Sequence, residues 1–275
     1  MFSTLLDAFF FGPLVFLTAT TLMARWINPA RKRDRTANVS AGGVLFYYCR
    51  EYLRLLIYQL VYVTVAPAEY LYMKFNLKKE PGQKADSDKP AVVLIHGYIS
   101  TTSHWLFQMW RLKRAGYEDV ARFGYNPFTG SLNEWSRSLT NMLKERFPSH
   151  PVILAGHSFG GLIAIRVVSM MPEGSVEKVV TMGSPIEGTL MADFAVTPAA
   201  RNLRRGTAMI EEIGRKTASL KTELICCWSR WDNIIVPQES AAPEGSNRVE
   251  IEGIGHSGYC FDPRVTRHIT GKTSF

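Results

Sequence analysis

Cysteine is scarce in this chain, four residues in 275, and none of the spacings is that of a metal ligand set. Cys226 and Cys227 are neighbours within an apolar stretch, so on a strand their side chains leave opposite faces. These two, with Cys49 and Cys260, read as packing residues, and a bridge from Cys260 to either neighbour is left open. No internal repeat and no low-complexity tract occurs, which excludes a repeat architecture. Acidic residues are outnumbered, 24 against 32 lysines and arginines, for a net charge of +8. No nucleic-acid-binding motif accompanies that surplus, so a nucleic-acid partner is not expected. Long hydrophobic runs are also few. The uncharged apolar run Ala8–Ala24 has seventeen residues, the lower limit for crossing a bilayer. Asp7 stands before it and no basic residue does, which argues against a signal peptide.

What the chain does have is the run from Val152 to Ile165, in which a short apolar strand enters Gly156-His157-Ser158-Phe159-Gly160 and an apolar helix leaves it. This is the pattern of a nucleophile elbow. Glycine has no Cβ to clash in so sharp a turn. Ser158 is left at the tip, and the helix N-terminus beneath it favours developing negative charge. A bare Gly-x-Ser-x-Gly is about as often a chance turn, so the context decides. Upstream, the apolar β-branched run Ala91–Ile95 ends in His96-Gly97-Tyr98. A turn at this place supplies one oxyanion-hole amide and the residue after the nucleophile supplies the other, so these donors are assigned to Tyr98 and Phe159. Downstream, the strand-like run Glu223–Trp228 leads to Asp232, and the alternating run Arg248–Glu252 leads to His256 on a glycine-rich loop. The order Ser158, Asp232, His256 fits a triad of the α/β-hydrolase type. A serine hydroxyl needs a base to take its proton, imidazole titrates near neutrality, and a carboxylate fixes the ring's tautomer. The rival histidines are His96, His104, His150, His157 and His268, of which His157 reads as a packing ring and His96 as shaping the oxyanion turn. The rival acids are Asp193 and Asp262.

Over about residues 90–260 the pattern resembles bacterial lipases of the α/β-hydrolase superfamily, through His96-Gly97-Tyr98, Gly156–Gly161, Met182-Gly183-Ser184-Pro185-Ile186-Glu187-Gly188-Thr189 and Gly255-His256. The segment Asp232–Pro237, followed by Asn247–His256, is similar to small lidless lipases, and Met191-Ala192-Asp193-Phe194 to larger, lidded ones. Two departures are Ser184-Pro185-Ile186, where Thr/Ala-Pro-His is usual, and the lack of an aspartate after His256 until Asp262, which departs from the calcium site of the larger lipases. The resemblance implies hydrolysis of carboxylic esters through an acyl-enzyme, with a lipid or other small ester as substrate and no cofactor or metal. A thioesterase, phospholipase or acyltransferase would use the same triad. A catalytically inactive lipid-binding or scaffold protein is the alternative from another class.

Strand-like runs near 91–95, 119–124, 151–155, 177–182, 223–228 and 248–252 alternate with helical ones near 103–115, 131–146, 159–171, 203–217 and 263–270. Such alternation predicts an α/β fold, a mostly parallel sheet flanked by helices on both faces. The expected organisation is an N-terminal region of hydrophobic helices over 1–85 and a catalytic domain over 86–275, joined by the polar linker 80–90. Residues 188–220 are expected to form a short cap or lid, or alternatively an ordinary crossover helix. Trp105 and Asn126-Pro127-Phe128 are candidates for the pocket wall. In the N-terminal region a second apolar run, Leu55–Ala68, follows Arg25, Arg31, Lys32, Arg33, Arg35, Arg50 and Arg54. Positive loops stay cytoplasmic, and anionic lipid headgroups are the simplest partner for such a cluster. The second run could equally lie flat at the interface, which would keep the domain inside, or be a buried packing helix. The preferred expectation is a membrane anchor of two spans in a bacterial inner membrane, with the catalytic domain facing the periplasm. The oligomeric state is not predicted.

Overall fold

The computed structural model describes residues 2–27, 41–76, 89–127 and 129–271. Six strands form one sheet: β1 (Ala91–Ile95), β2 (Val120–Phe123), β3 (Val152–His157), β4 (Val176–Met182), β5 (Glu223–Trp228) and β6 (Asn247–Glu250). All neighbours are parallel, in the order β2-β1-β3-β4-β5-β6. Successive side chains of a strand point to opposite faces, and both faces here are covered. Val93, Ile95 and Leu154 point toward α4 (Leu132–Arg146), α5 (Phe159–Val168) and α7 (Ala208–Ala218). Val92, Leu94, Ile153 and Ala155 point toward α3 (Leu106–Arg114) and α8 (Pro263–Thr270). Burial on both sides is why the central strands are continuous apolar runs rather than alternating ones. The two neighbouring cysteines divide in the same way, Cys226 to the first face and Cys227 to the second. All four cysteines are free thiols, so no bridge forms from Cys260.

The chain goes from β1 outward to β2, then returns to place β3 on the other side of β1. The crevice at the carboxyl ends of β1 and β3, where the direction of winding reverses, is where sheets of this kind bind ligands. The loops that emerge there are His96-Gly97-Tyr98 and the turn at Ser158.

The segment 188–220 divides in two. Its second half, α7, is a crossover helix that buries Ile210 and Ile213 against the sheet and pairs Glu212 with Arg166 of α5. Its first half, a 3-10 turn at Leu190–Phe194 and the short α6 (Pro198–Arg201), lies over the crevice. It is tied down by bonds from Leu190 N to Val236 O (2.7 Å) and from Thr189 Oγ1 to Ile234 O (2.8 Å).

The N-terminal expectation needs correcting. The apolar runs lie within α1 (Phe2–Ile27) and α2 (Ala41–Asn76), but among the described residues no helix is long and apolar enough to cross a membrane. The two-span anchor, and the periplasmic placement that depended on it, are overturned. The physical reason lies in what the two helices touch. Thr20 of α1 is buried and bonds Asn233 in the loop after β5, while α2 carries Arg50, Glu51 and Arg54 midway along its length, with Glu51 buried against Gly255. One face of each helix meets protein, while Val15, Phe16, Leu22, Leu45, Phe46 and Leu53 stay exposed on the other. The basic cluster Arg31–Arg35 and the linker up to residue 88 lie outside the described residues.

Candidate active site

The elbow is built as its sequence requires. Ser158 has φ of 53° and ψ of −122°, between the end of β3 and the first residue of α5. Its amide donates to Met182 O (2.9 Å), which fixes the turn against β4. A Cβ on Gly160 would stand 2.3 Å from the carbonyl oxygen of Ile95, and one on Gly97 would stand 2.9 Å from Ser158 Cβ. These two glycines let the elbow and the turn after β1 approach each other. Among the described residues the non-glycine positions with positive φ are Ile99 (51°) and Ser158. Both line the same cavity, so the strained backbone is concentrated at the crevice.

The turn that carries Tyr98 is held by His96 and His104. His96 Nδ1–H donates to Gly97 O (2.8 Å), its Nε2 accepts from Tyr125 N (3.2 Å), and Tyr125 stacks on its ring. His104 is buried, accepts at Nδ1 from Thr101 N (3.1 Å) and donates from Nε2 to Tyr58 O (3.0 Å). Burial lowers its pKa to about 4, so the ring is neutral at pH 7. Phe159 begins α5, and first-turn amides have no partner within their own helix.

Asp232 is buried in the loop after β5. Its Oδ1 accepts from the amides of Ile234 and Ile235 (both 2.9 Å), and its Oδ2 accepts from His256 Nδ1–H (2.9 Å). His256 opens the 3-10 turn after β6 and lines the cavity with Ser158. Ser158, His256 and Tyr98 thus line one crevice, and Asp232 lies buried behind it on His256. Asp193 instead lies exposed on the cap beside Arg204, and Asp262 caps α8 and pairs with Arg264 and Arg54. Neither accepts from His256. Among the described residues no group of three or more His, Cys, Asp or Glu could hold a metal ion.

His157 packs inside the elbow and has a second task that sequence reasoning missed. Its Nε2–H donates to the carbonyl of His256 (2.9 Å), holding that residue's backbone. Burial first, then the neighbouring His256, pushes its pKa well below the usual range, so it does not compete as a base. Trp105 is a correction. It is wholly buried behind His157, edge-on with ring centroids 6.5 Å apart, and does not form the cavity wall. Asn126 and Pro127 do not line the cavity either, and Phe128 lies outside the described residues.

Several residues missed in the sequence come from the N-terminal helices and the loop next to Asp232. Asn233 accepts at Oδ1 from the amide of His256 (3.2 Å) and donates from Nδ2 to Thr20 Oγ1 (2.5 Å), linking α1 to the histidine loop. Tyr47 donates to Trp231 O (3.0 Å), and Tyr58 donates to Ile99 O (3.3 Å) while stacking on His104. Glu51 bonds Arg54 (2.5 Å) and takes a hydrogen bond from the backbone of Gly255; burial raises its pKa against both arginines. Arg54 continues to Asp262 (3.4 Å). The cavity bounded by these helices, the cap and the crevice measures about 460 Å³, within the range of small-molecule sites. The signal available in the sequence is the length of the second run: its fourteen apolar residues fall short of a bilayer span, while the seventeen of Ala8–Ala24 stand at the lower limit.

A profile of the family described as "Alpha/beta hydrolase family" matches residues 92–244. A sequence search of curated proteins finds no match. Among solved structures, the lin2722 gene product of Listeria innocua is similar with a TM-score of 0.51 and 16% identity, over 68% of this chain and 96% of that one. A Paleococcus ferrophilus monoacylglycerol lipase has a TM-score of 0.49 and 16% identity, over 66% and 91%. A membrane phospholipase A described as a bacterial virulence factor has a TM-score of 0.47 and 15% identity, over 80% and 94%. At these identities the likeness concerns the fold alone.

Proposed function

Because this chain belongs to the alpha/beta hydrolase family, we propose that it is a serine hydrolase that cleaves carboxylic esters of apolar acyl groups through an acyl-enzyme. The observation that carries this reading is the bond from His256 Nδ1–H to the buried carboxylate of Asp232 (2.9 Å), on a ring that shares one cavity with Ser158. A carboxylate can only accept, so the ring's proton stays on Nδ1 and Nε2 is left basic. In the reaction Nε2 takes the Ser158 proton as Oγ attacks the ester carbonyl. The Tyr98 and Phe159 amides receive the oxyanion, and the imidazolium returns the proton to the departing alkoxide. Water, deprotonated by the same nitrogen, then releases the acid. The apolar character of the walls (Leu17, Leu55, Met191, Leu203, Ile234, Ile235) supports an acyl group without charge along its length.

The test is covalent labelling with a fluorophosphonate alongside hydrolysis of p-nitrophenyl butanoate. Stoichiometric labelling, abolished together with turnover in Ser158→Ala, is the expected result. Folded protein that takes no label, or labelling that persists in Ser158→Ala, overturns the reading.

A further inference from the structure

We propose that the N-terminal helices are the acyl-binding element of this protein, holding an unbranched hydrocarbon chain against Gly12, Phe16 and Leu17 of α1 and Leu55 and Tyr62 of α2. The inference rests on the esterase reading for the bond that is broken, and on the cavity alone for the chain that is held.

The cavity is continuous from Ser158 and His256 to these five positions. Four polar side chains on its wall are committed to the protein itself, alongside Gln59, Tyr62 and Ser257, which also reach it. Asn233 is used at both ends, by His256 N and Thr20; Glu51 is held by Arg54; Tyr58 bonds Ile99 O; and Tyr98 Oη lies 2.5 Å from Thr197 Oγ1. A hydrophilic occupant would lose its hydration and find these groups already engaged. A hydrocarbon chain loses nothing comparable, and each methylene withdrawn from water strengthens binding by about fourfold.

The α1 contribution has a shape that suits a chain. A Cβ built on Gly12 would meet no heavy atom of the described residues within 4 Å, so the position opens into space, and Pro13 beside it carries only a short ring. One turn on, Leu17 is buried at 1% exposure while Phe16, on the same wall, is 50% exposed. Phe16 thus presents an apolar surface that a ligand would cover. Val15, 65% exposed, does not line the cavity and serves as the control on the same helix.

The experiment has a binding arm and a catalytic arm, both on the full chain. In the binding arm, calorimetry on Ser158→Ala measures dodecanoate below its micellar concentration against butanoate. Dodecanoate is expected to bind far more tightly, and adding Gly12→Leu is expected to weaken it by at least about tenfold. In the catalytic arm, the ratio of kcat/KM for p-nitrophenyl dodecanoate over butanoate is expected to fall by about tenfold in Gly12→Leu and to hold in Val15→Ser. Should Gly12→Leu fail to fold, Phe16→Ala removes covering surface from the same wall and should lower the same ratio. Equal binding of the two acids, or a wild-type ratio in both Gly12→Leu and Phe16→Ala, overturns the proposal and leaves the esterase reading standing. Gly12-dependent binding of dodecanoate in a protein that cleaves no ester and takes no label sinks the esterase reading instead, and leaves the chain site.

Discussion

Asp232 shows how much one residue depends on atoms the sequence does not place beside it. Both carboxylate oxygens are occupied, one by the amides of Ile234 and Ile235 and the other by His256 Nδ1–H. Asparagine keeps the shape but offers an NH₂ group where the ring needs an acceptor, which favours the tautomer with its proton on Nε2. Asp232→Asn is therefore expected to lower kcat for p-nitrophenyl butanoate by about 10⁴-fold, with KM little changed and the circular dichroism spectrum intact. A loss below tenfold would remove Asp232 from the proposed role. At the same scale Asp193 and Asp232 both follow strands in the chain, and proximity to a motif alone favoured the second. What separates them in space is that Asp232 is buried beside His256 while Asp193 stands on the outer cap with Arg204.

At the scale of the element, α2 acts as a splint across the site. Tyr47, Glu51, Arg54 and Tyr58 recur at intervals of four, three and four, so they share one helix face. Along that face they meet the Asp232 loop at Trp231, the His256 loop at Gly255, Asp262 at the cap of α8, and the turn after β1 at Ile99 and His104. The contact between Tyr58 and His104 makes this docking sensitive to pH. Burial holds the His104 pKa at about 4 in the folded protein, below the ordinary 6.5 of an exposed ring. Above pH 6.5 both states carry the neutral ring and its contribution is whole. Below that, the unfolded chain takes a proton that the folded chain refuses, so stability falls as pH drops from 6.5 toward 4. The slope from this group reaches about 1.4 kcal/mol per pH unit. Urea unfolding at pH 7.5 and pH 5 should show the loss, and His104→Asn should shrink it. His157, shifted in the same direction by burial, keeps part of the slope in that variant.

At the scale of the whole molecule, the hydrolase sheet does not make its site alone. Walls of the cavity come from α1, α2, the cap and the crevice together. Removing residues 1–88 would uncover Trp231, Ile99 and the His256 loop and leave Asn233 without its α1 partner. The truncated chain is expected to bind anilinonaphthalene sulfonate and to lose about 10²-fold or more in kcat/KM on the dodecanoate ester, because the histidine loop is no longer held in place. Full activity in the truncated chain would show the helices to be dispensable.

The sequence by itself determined the elements that rest on short-range chemistry. The apolar runs of β1, β3 and β4, the glycines that let the elbow close, and the crossover helices were all readable, because each depends on residues a few positions apart. Small shifts remained at the ends, as where the run 248–252 became a strand over Asn247–Glu250. Only the tertiary structure decided what the N-terminal helices face. A hydrophobic stripe records that a surface leaves water and says nothing about whether lipid or protein receives it. The faces that protein receives are set by groups distant in the chain, such as Thr20 with Asn233 and Tyr58 with His104. Hydrogen bonds of this kind form only once the fold has brought their partners within about 3 Å.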